Sequence, residues 1–158
     1  LVASRKAGVG PMASVAGAIA EYVSKDILKY SRNVVVENGG DIFIDCQNDV
    51  RVGILAGRSP LSERFSLVVK KSEMPMGICT SSGTVGHSFS FGKADAVCIK
   101  AKSAILADAA ATSIGNMVKT CRDIEESLKK GMSIEGVIGI VIIAGDRLGV
   151  VGEIELSD

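Results

Sequence analysis

The sequence predicts a mixed α+β chain in which a largely antiparallel sheet is covered by two long helices. Apolar residues recur at helical steps in two long stretches, and short β-branched runs between glycine-rich turns fill most of the remainder. Hydrophobic residues make up 47% of the chain, too many for disorder and enough for a real core. A length of 158 residues without linker, repeat or low-complexity tract predicts one domain over 1–158.

Met12, Val15, Ala16, Ile19, Val23 and Ile27 recur at three- and four-residue steps. They predict a helix over 11–30 with one apolar stripe, and Pro11 suits its first turn. Val34, Val35 and Val36 change the period to that of a strand; the turn Glu37-Asn38-Gly39-Gly40-Asp41 follows, then a second strand through Ile42, Phe43 and Ile44. Gln47-Asn48-Asp49 would fold a third strand, 50–56, back against the second. Further strands are expected over 65–69, 77–80 and 94–100. Ser81 to Ser88 has no period and reads as a loop, whereas Ser103 is a fitting N-cap for a second helix over 104–118, packing through Ile105, Leu106, Ala109, Ser113 and Met117. A short charged helix over 123–130 would stop at Gly131, and a closing hairpin would join 137–144 to 148–156 around Gly145-Asp146-Arg147.

Lys plus Arg equal Asp plus Glu at 18 each, and aromatic residues are few, so the surplus of cations and stacking surfaces that nucleic acid requires is missing. No apolar run approaches the roughly 20 residues of a membrane helix. Cys46, Cys79, Cys98 and Cys121 are widely spaced, form no CxxC pair and share the chain with a single His, so a zinc site is disfavoured. Reduced core cysteines in a cytoplasmic protein are expected instead. The chain opens at Leu1 without Met, which suggests a missing natural N-terminal segment.

Three constellations could carry chemistry. In Ala107-Asp108-Ala109-Ala110-Ala111-Thr112, helical pitch sets Asp108 and Thr112 on one face, and a carboxylate beside a hydroxyl suits a hard cation such as Mg²⁺. The plainer alternative is that Thr112 packs in a small-residue helix interface and donates to Asp108. In Thr80-Ser81-Ser82-Gly83, glycine backbone and hydroxyl donors could cradle phosphate, with His87 downstream as the one ready proton shuttle. No P-loop lysine stands there. A Cys79–His87 thiol–imidazole pair, or a hydrolase using Ser81 or Ser82 with His87, are alternatives, although no GxSxG elbow supports the latter. In Asn38-Gly39-Gly40-Asp41 the glycines could bring main chain close to a ligand, or simply make a tight bend. Gly8 and Gly10 form a comparable entry to the first helix, whose N-terminus could favour an anion.

Taken in order, these pieces resemble the ApbE-like superfamily, best known for flavin transferases. The resemblance runs from the helix beginning Pro11-Met12-Ala13-Ser14 through Asn38-Gly39-Gly40-Asp41-Ile42, Thr80-Ser81-Ser82-Gly83 and the histidine loop to Ala107-Asp108-Ala109-Ala110-Ala111-Thr112, which is similar to the family's A-D-A-L-A-T stretch. It implies an ApbE-like fold, Asp108 and Thr112 as Mg²⁺ ligands, and FAD held at the glycine turns. It also implies transfer of the FMN half onto a threonine or serine of a protein acceptor, or a related phosphoester transfer. His87 would match the first position of the family's H-I-I-D-P motif. Here that segment is His87-Ser88-Phe89-Ser90-Phe91, so Ser90 replaces the acidic residue and Phe91 the proline, the pattern of a shorter branch. The expected partner is thus a phosphate-bearing small molecule, and the alternative is a non-catalytic ligand-binding or assembly protein on the same scaffold.

Overall fold

Two sheets and a helical layer stack in the computed structural model, which describes residues 1–85 and 90–158. Six antiparallel strands form the large sheet in the order β1 (Val34–Asn38), β2 (Asp41–Asp45), β5 (Met76–Ser81), β6 (Ala96–Ala101), β7 (Val137–Ala144) and β8 (Arg147–Gly152). A small antiparallel sheet, β3 (Val50–Gly53), β4 (Ser66–Val69) and β9 (Leu156–Ser157), covers one of its faces. The helices cover the other: α1 (Val2–Ala7), α2 (Val15–Ile27), α3 (Ala104–Met117) and α4 (Ile124–Met132). This mixed architecture, a largely antiparallel sheet covered by helices, is the fold class read from the sequence.

With both faces of the large sheet covered, β6 and β7 are apolar almost throughout instead of alternating with polar residues. Val97, Ile99, Ile140 and Ile142 enter the helical core; Cys98, Val141 and Ile143 enter the core between the sheets. Lys100 is the exception. Its ammonium is buried between the sheets and satisfied by Glu73 Oε1 at 2.6 Å and the Glu153 carbonyl at 3.0 Å. Cys46, Cys79 and Cys98 are buried free thiols, while the free thiol of Cys121 is exposed. Among the described residues no helix is long and apolar enough to cross a membrane.

Several elements depart from the sequence expectation. The third strand does not fold back on β2, whose second neighbour is β5; β3 instead pairs with β4 in the small sheet. The expected strand 148–156 divides, because Gly152 takes φ +81 where a Cβ would sit 2.8 Å from Gly139 Cα. The chain therefore leaves β8 and returns as β9 in the other sheet. The first helix opens as a 3₁₀ turn over Pro11–Ser14, and α4 runs through Gly131, which packs on Ile114 and Ile140, to Met132.

Both long helices turn unexpected faces to the core. Helix α3 lies among the sheet and the other helices, so its buried set is Ala104, the run 106–111, Ile114 and Gly115; Ile105, Ser113 and Met117 lie only partly covered. In α2 the anticipated stripe points outward: Met12, Val15, Ile19, Val23 and Ile27 are exposed, and Gly17, Ala20, Glu21 and Ser24 face inward. Close approach explains this inversion. A Cβ on Gly17 would lie 2.8 Å from Asp108 Cβ and closer still to the Ala104 carbonyl, so only small residues allow the helices to meet.

Gly17→Ala should destabilise the fold by about 1–3 kcal/mol through overpacking. Gly10→Ala, where an added Cβ meets nothing within 4 Å, should change stability by less than about 0.5 kcal/mol. Urea denaturation of both variants checks the contrast; equal effects would contradict the packing described.

Candidate functional site

The site begins with a two-residue turn. Gly39 and Gly40 both take positive φ, +66 and +98, as a tight β1–β2 hairpin requires. The turn is docked on two sides: Asn38 Nδ2 donates to the Ala16 carbonyl of α2 at 3.3 Å, and Thr80 N–H donates to the Gly40 carbonyl at 3.1 Å. Asp41, the first residue of β2, stands opposite Cys79 of β5 in register. Strand alternation sends Asp41 and Phe43 to the helical side.

Strand β5 is held unusually close to α3 by glycines. Gly77 lies against the Ala104 main chain, Cys79 Sγ donates to the Ala104 carbonyl at 3.3 Å, and a Cβ on Gly115 would come within 3.0 Å of Ser81 Oγ. Asp108, one turn into α3, is thereby brought within electrostatic reach of Asp41, and its Oδ2 accepts the Gly17 N–H at 2.9 Å. The helices exchange this service. Glu21 of α2 accepts from Ser103 Oγ at 2.8 Å and from Ile105 N–H at 3.3 Å, so each helix has its N-terminal donors capped by a carboxylate of the other.

The three carboxylates differ in charge state. Burial opposes ionisation of Glu21, yet hydrogen bonds from Lys25 and Ser103 outweigh it and hold the group below its ordinary value. Asp41 has only the Cys79 thiol to support it. Burial, and then the neighbouring Asp108 carboxylate, push Asp41 up to about 7 despite a hydrogen bond from Cys79. Burial lifts Asp108 to about 6 against the opposing Gly17 N–H. Burial raises the Cys79 thiol well above its ordinary value, followed by the effect of Asp41 and Asp108, so this thiol is no nucleophile. Among the described residues neither aspartate has a salt-bridge partner.

The residues singled out in the sequence are thus partly assembled. Asn38–Asp41 and Asp108 lie where the glycine turn meets α3; Ser81 lies against Gly115, two turns beyond Asp108, and Thr112 is half-buried one turn beyond Asp108. Asp108 accepts from Gly17, a partner the sequence did not suggest. Thr80 sends its hydroxyl to Cys98 on the opposite sheet face. Ser82 Oγ accepts from Thr84 N–H and Val85 N–H at 3.1 and 2.9 Å, and Gly83 N–H donates to the Ala94 carbonyl at 2.8 Å. These amides are engaged within the protein, where an anion cradle would require them free. His87 lies outside the described residues, as do Gly86, Ser88 and Phe89. Ser90 accepts the Gly92 N–H at 3.1 Å.

Carboxylate oxygens that no cation pairs with among the described residues suit a hard ion. Among the described residues no group of three or more His, Cys, Asp and Glu side chains is arranged as a metal centre, so a Mg²⁺ ion here would rely also on hydroxyl, carbonyl or water oxygens, as Mg²⁺ commonly does.

A family model described as AbpE bacteria matches residues 1–150. The chain belongs to that family. It is 47% identical over 153 residues to a UPF0280 protein of Methanococcus aeolicus, covering 94% of this chain and 62% of the relative. It is 45% identical over 159 residues to a UPF0280 protein of Methanocaldococcus jannaschii, covering 97% and 64%. This AbpE-family chain therefore spans somewhat under two thirds of the curated relatives it matches. The crystal structure of apo Pseudomonas stutzeri flavinyl transferase ApbE is similar in fold, with TM-score 0.55 and 16% identity over 89% of this chain and 48% of the transferase.

The raised aspartates fix the sign of a pH effect. A carboxyl with a higher folded than unfolded value stabilises the fold when protonated, and that contribution is lost as pH rises through the folded value. Stability of the metal-free protein should fall between about pH 4 and pH 8. Asp41→Asn should flatten the profile and raise stability at pH 8 by about 1–2 kcal/mol. Urea midpoints across this range test it, and an unchanged profile in the variant would remove Asp41 as the source.

Proposed function

We propose that this AbpE-family chain binds a phosphate-bearing ligand of the FAD class together with Mg²⁺. The observation supporting this reading most strongly is the pair Asp41 and Asp108: two buried carboxylates, each raised by burial and within electrostatic reach of one another near the Asn38–Asp41 turn, with no cation paired to them among the described residues. A divalent ion would relieve their repulsion and supply a counter-charge to a diphosphate. Asp108 and Thr112 are the proposed ion ligands, with Asp41 as the adjacent charge. The exposed Gly39 at the tip of the turn and the half-buried Ser81 hydroxyl are the proposed neighbours of the ligand, with Thr80, Ser82 and Gly83 forming the supporting loop. When bound, Mg²⁺ polarises a pyrophosphate.

FMN transfer is the proposed reaction. The hydroxyl oxygen of an acceptor threonine or serine bonds to the FMN-side phosphorus, the pyrophosphate P–O bond breaks, AMP departs with the electron pair, and the hydroxyl proton passes to a base. His87 is the proposed carrier of that proton. Membership of the family and the ApbE-like fold support a flavin transferase-related role. A second reading, ligand binding without transfer, is favoured by Ser90, a neutral hydroxyl committed to the Gly92 N–H where the family pattern has an acid.

Titration of FAD fluorescence with and without Mg²⁺ tests the binding. Saturable Mg²⁺-dependent quenching is expected, weakened at least about tenfold in Asp108→Asn, which retains an oxygen acceptor for Gly17 N–H. Equal quenching with and without Mg²⁺, or in both proteins, would overturn the ion assignment. AMP release together with an acceptor mass gain of one FMN distinguishes transfer from binding alone.

A further inference from the structure

Helix α2 is inverted relative to an ordinary amphipathic helix, and its outer face gathers many of the exposed large hydrophobic residues among those described. Val15, Ile19, Val23 and Ile27 are exposed along it, with Tyr22 beside them, and Met12 and Tyr30 are 79% and 91% exposed at its ends. Val15, Ile19, Tyr22 and Val23, with Leu1 and Ile105, line an open groove of about 500 Å³. The two tyrosines alone offer roughly 300 Å² of surface at the ~150–250 Å² an aromatic side chain carries. With the aliphatic residues the face comes to on the order of 800 Å², the share that each partner contributes to a standard-size interface. Apolar patches of this size on a monomer mark an interaction surface.

The pattern along the face indicates its occupant. Met12, Val15 and Ile19 are spaced from the level of Glu21 as Tyr30, Ile27 and Val23 are on the other side, so the apolar row reads the same in both directions. A helix with such a row is complementary to its own copy turned antiparallel, because a two-fold axis sets residue i against j and j against i. Charge selects the same orientation. The stretch 11–20 carries no charged residue, whereas Lys25, Asp26 and Lys29 all lie in the second half. Lys25 and Lys29 are ion-paired to Glu21 and Asp26 of the same copy; antiparallel pairing sets each of these ion-paired halves against a neutral one, whereas parallel pairing would pack the two sets of ion pairs together.

We propose that the outer face of α2 is the contact surface between two copies of this chain, paired antiparallel about a two-fold axis at the level of Glu21. Ile19 of each copy then packs against Val23 of the other. The inner face of α2, with Gly17 and Glu21, remains free to cap and be capped by α3.

Sedimentation velocity on the unmodified chain, at concentrations up to tens of micromolar, tests the assignment. A species of twice 16.4 kDa is expected. Ile19→Lys, a change on the exposed face, should weaken association about a hundredfold or more with an unchanged far-ultraviolet circular dichroism spectrum. Adding Val23→Glu to Ile19→Lys should recover association, because each new lysine would then face a glutamate across the axis. A folded unmodified chain sedimenting as a monomer throughout overturns the proposal and leaves the face to another partner, such as further polypeptide of the kind its longer relatives contain. Association undiminished by Ile19→Lys overturns it as well.

Discussion

The arrangement depends on two helices that cap one another. In a helix interior a carboxylate has nothing to gain from its own backbone, but the first N–H groups of a neighbouring helix are orphan donors at the positive end of a dipole. Asp108 and Glu21 each meet that need in the other helix, which fixes α2 and α3 antiparallel at one register. The caps work only at very short separation, so the contact is built from Gly17, Ala104 and the small residues around them. Geometry at the candidate site follows, since Asn38 docks the glycine turn on Ala16 one residue from the cap.

The two caps are not equivalent, and the difference sets one apart as a place for chemistry. Glu21 is neutralised by Lys25 at 2.5 Å and supported by a hydroxyl, so its charge is settled within the protein. Asp108 has one backbone donor and lies within electrostatic reach of Asp41, a second carboxylate held near neutrality by burial and repulsion. Burying two acids within reach of one another, with no cation paired to either among the described residues, costs stability that apolar residues would not, so the pair is hard to explain as a packing device. A structural requirement at α2 is met by one aspartate; it does not call for the second.

Much of the framework was legible because it rests on local periodicity and turn chemistry. The β-branched runs around Gly39-Gly40, the Ser103 N-cap and the Gly145 hairpin turn all fall where local rules place them. Errors arose where tertiary partners decide. Nothing local to Val50–Gly53 tells whether it pairs with β2 or leaves for a second sheet. The outward stripe of α2 has the spacing of a buried face, and the clue against burial lay on the other side: Gly17, Ala20 and Ser24 are small and recur at helical steps, as a close helix contact requires. Within the site, Asp108 and Asp41 were each visible as single residues. Their proximity was not, because it depends on the β2–β5 register and on the glycines that draw β5 against α3.

Family membership and local chemistry then bear on different questions. A shared scaffold accounts for the sheet order, the helix pair and the hairpin turn, all of which serve a binding protein and a transferase alike. Transfer needs more, namely a group that takes a proton from the attacking hydroxyl while the ion holds the diphosphate. Ser90 cannot be that group: it has no charge to offer, and its oxygen already receives the Gly92 N–H. The two buried aspartates remain the feature for which the scaffold alone gives no reason. One of them, Asp41, sits closest to neutrality and is therefore suited to hold a proton.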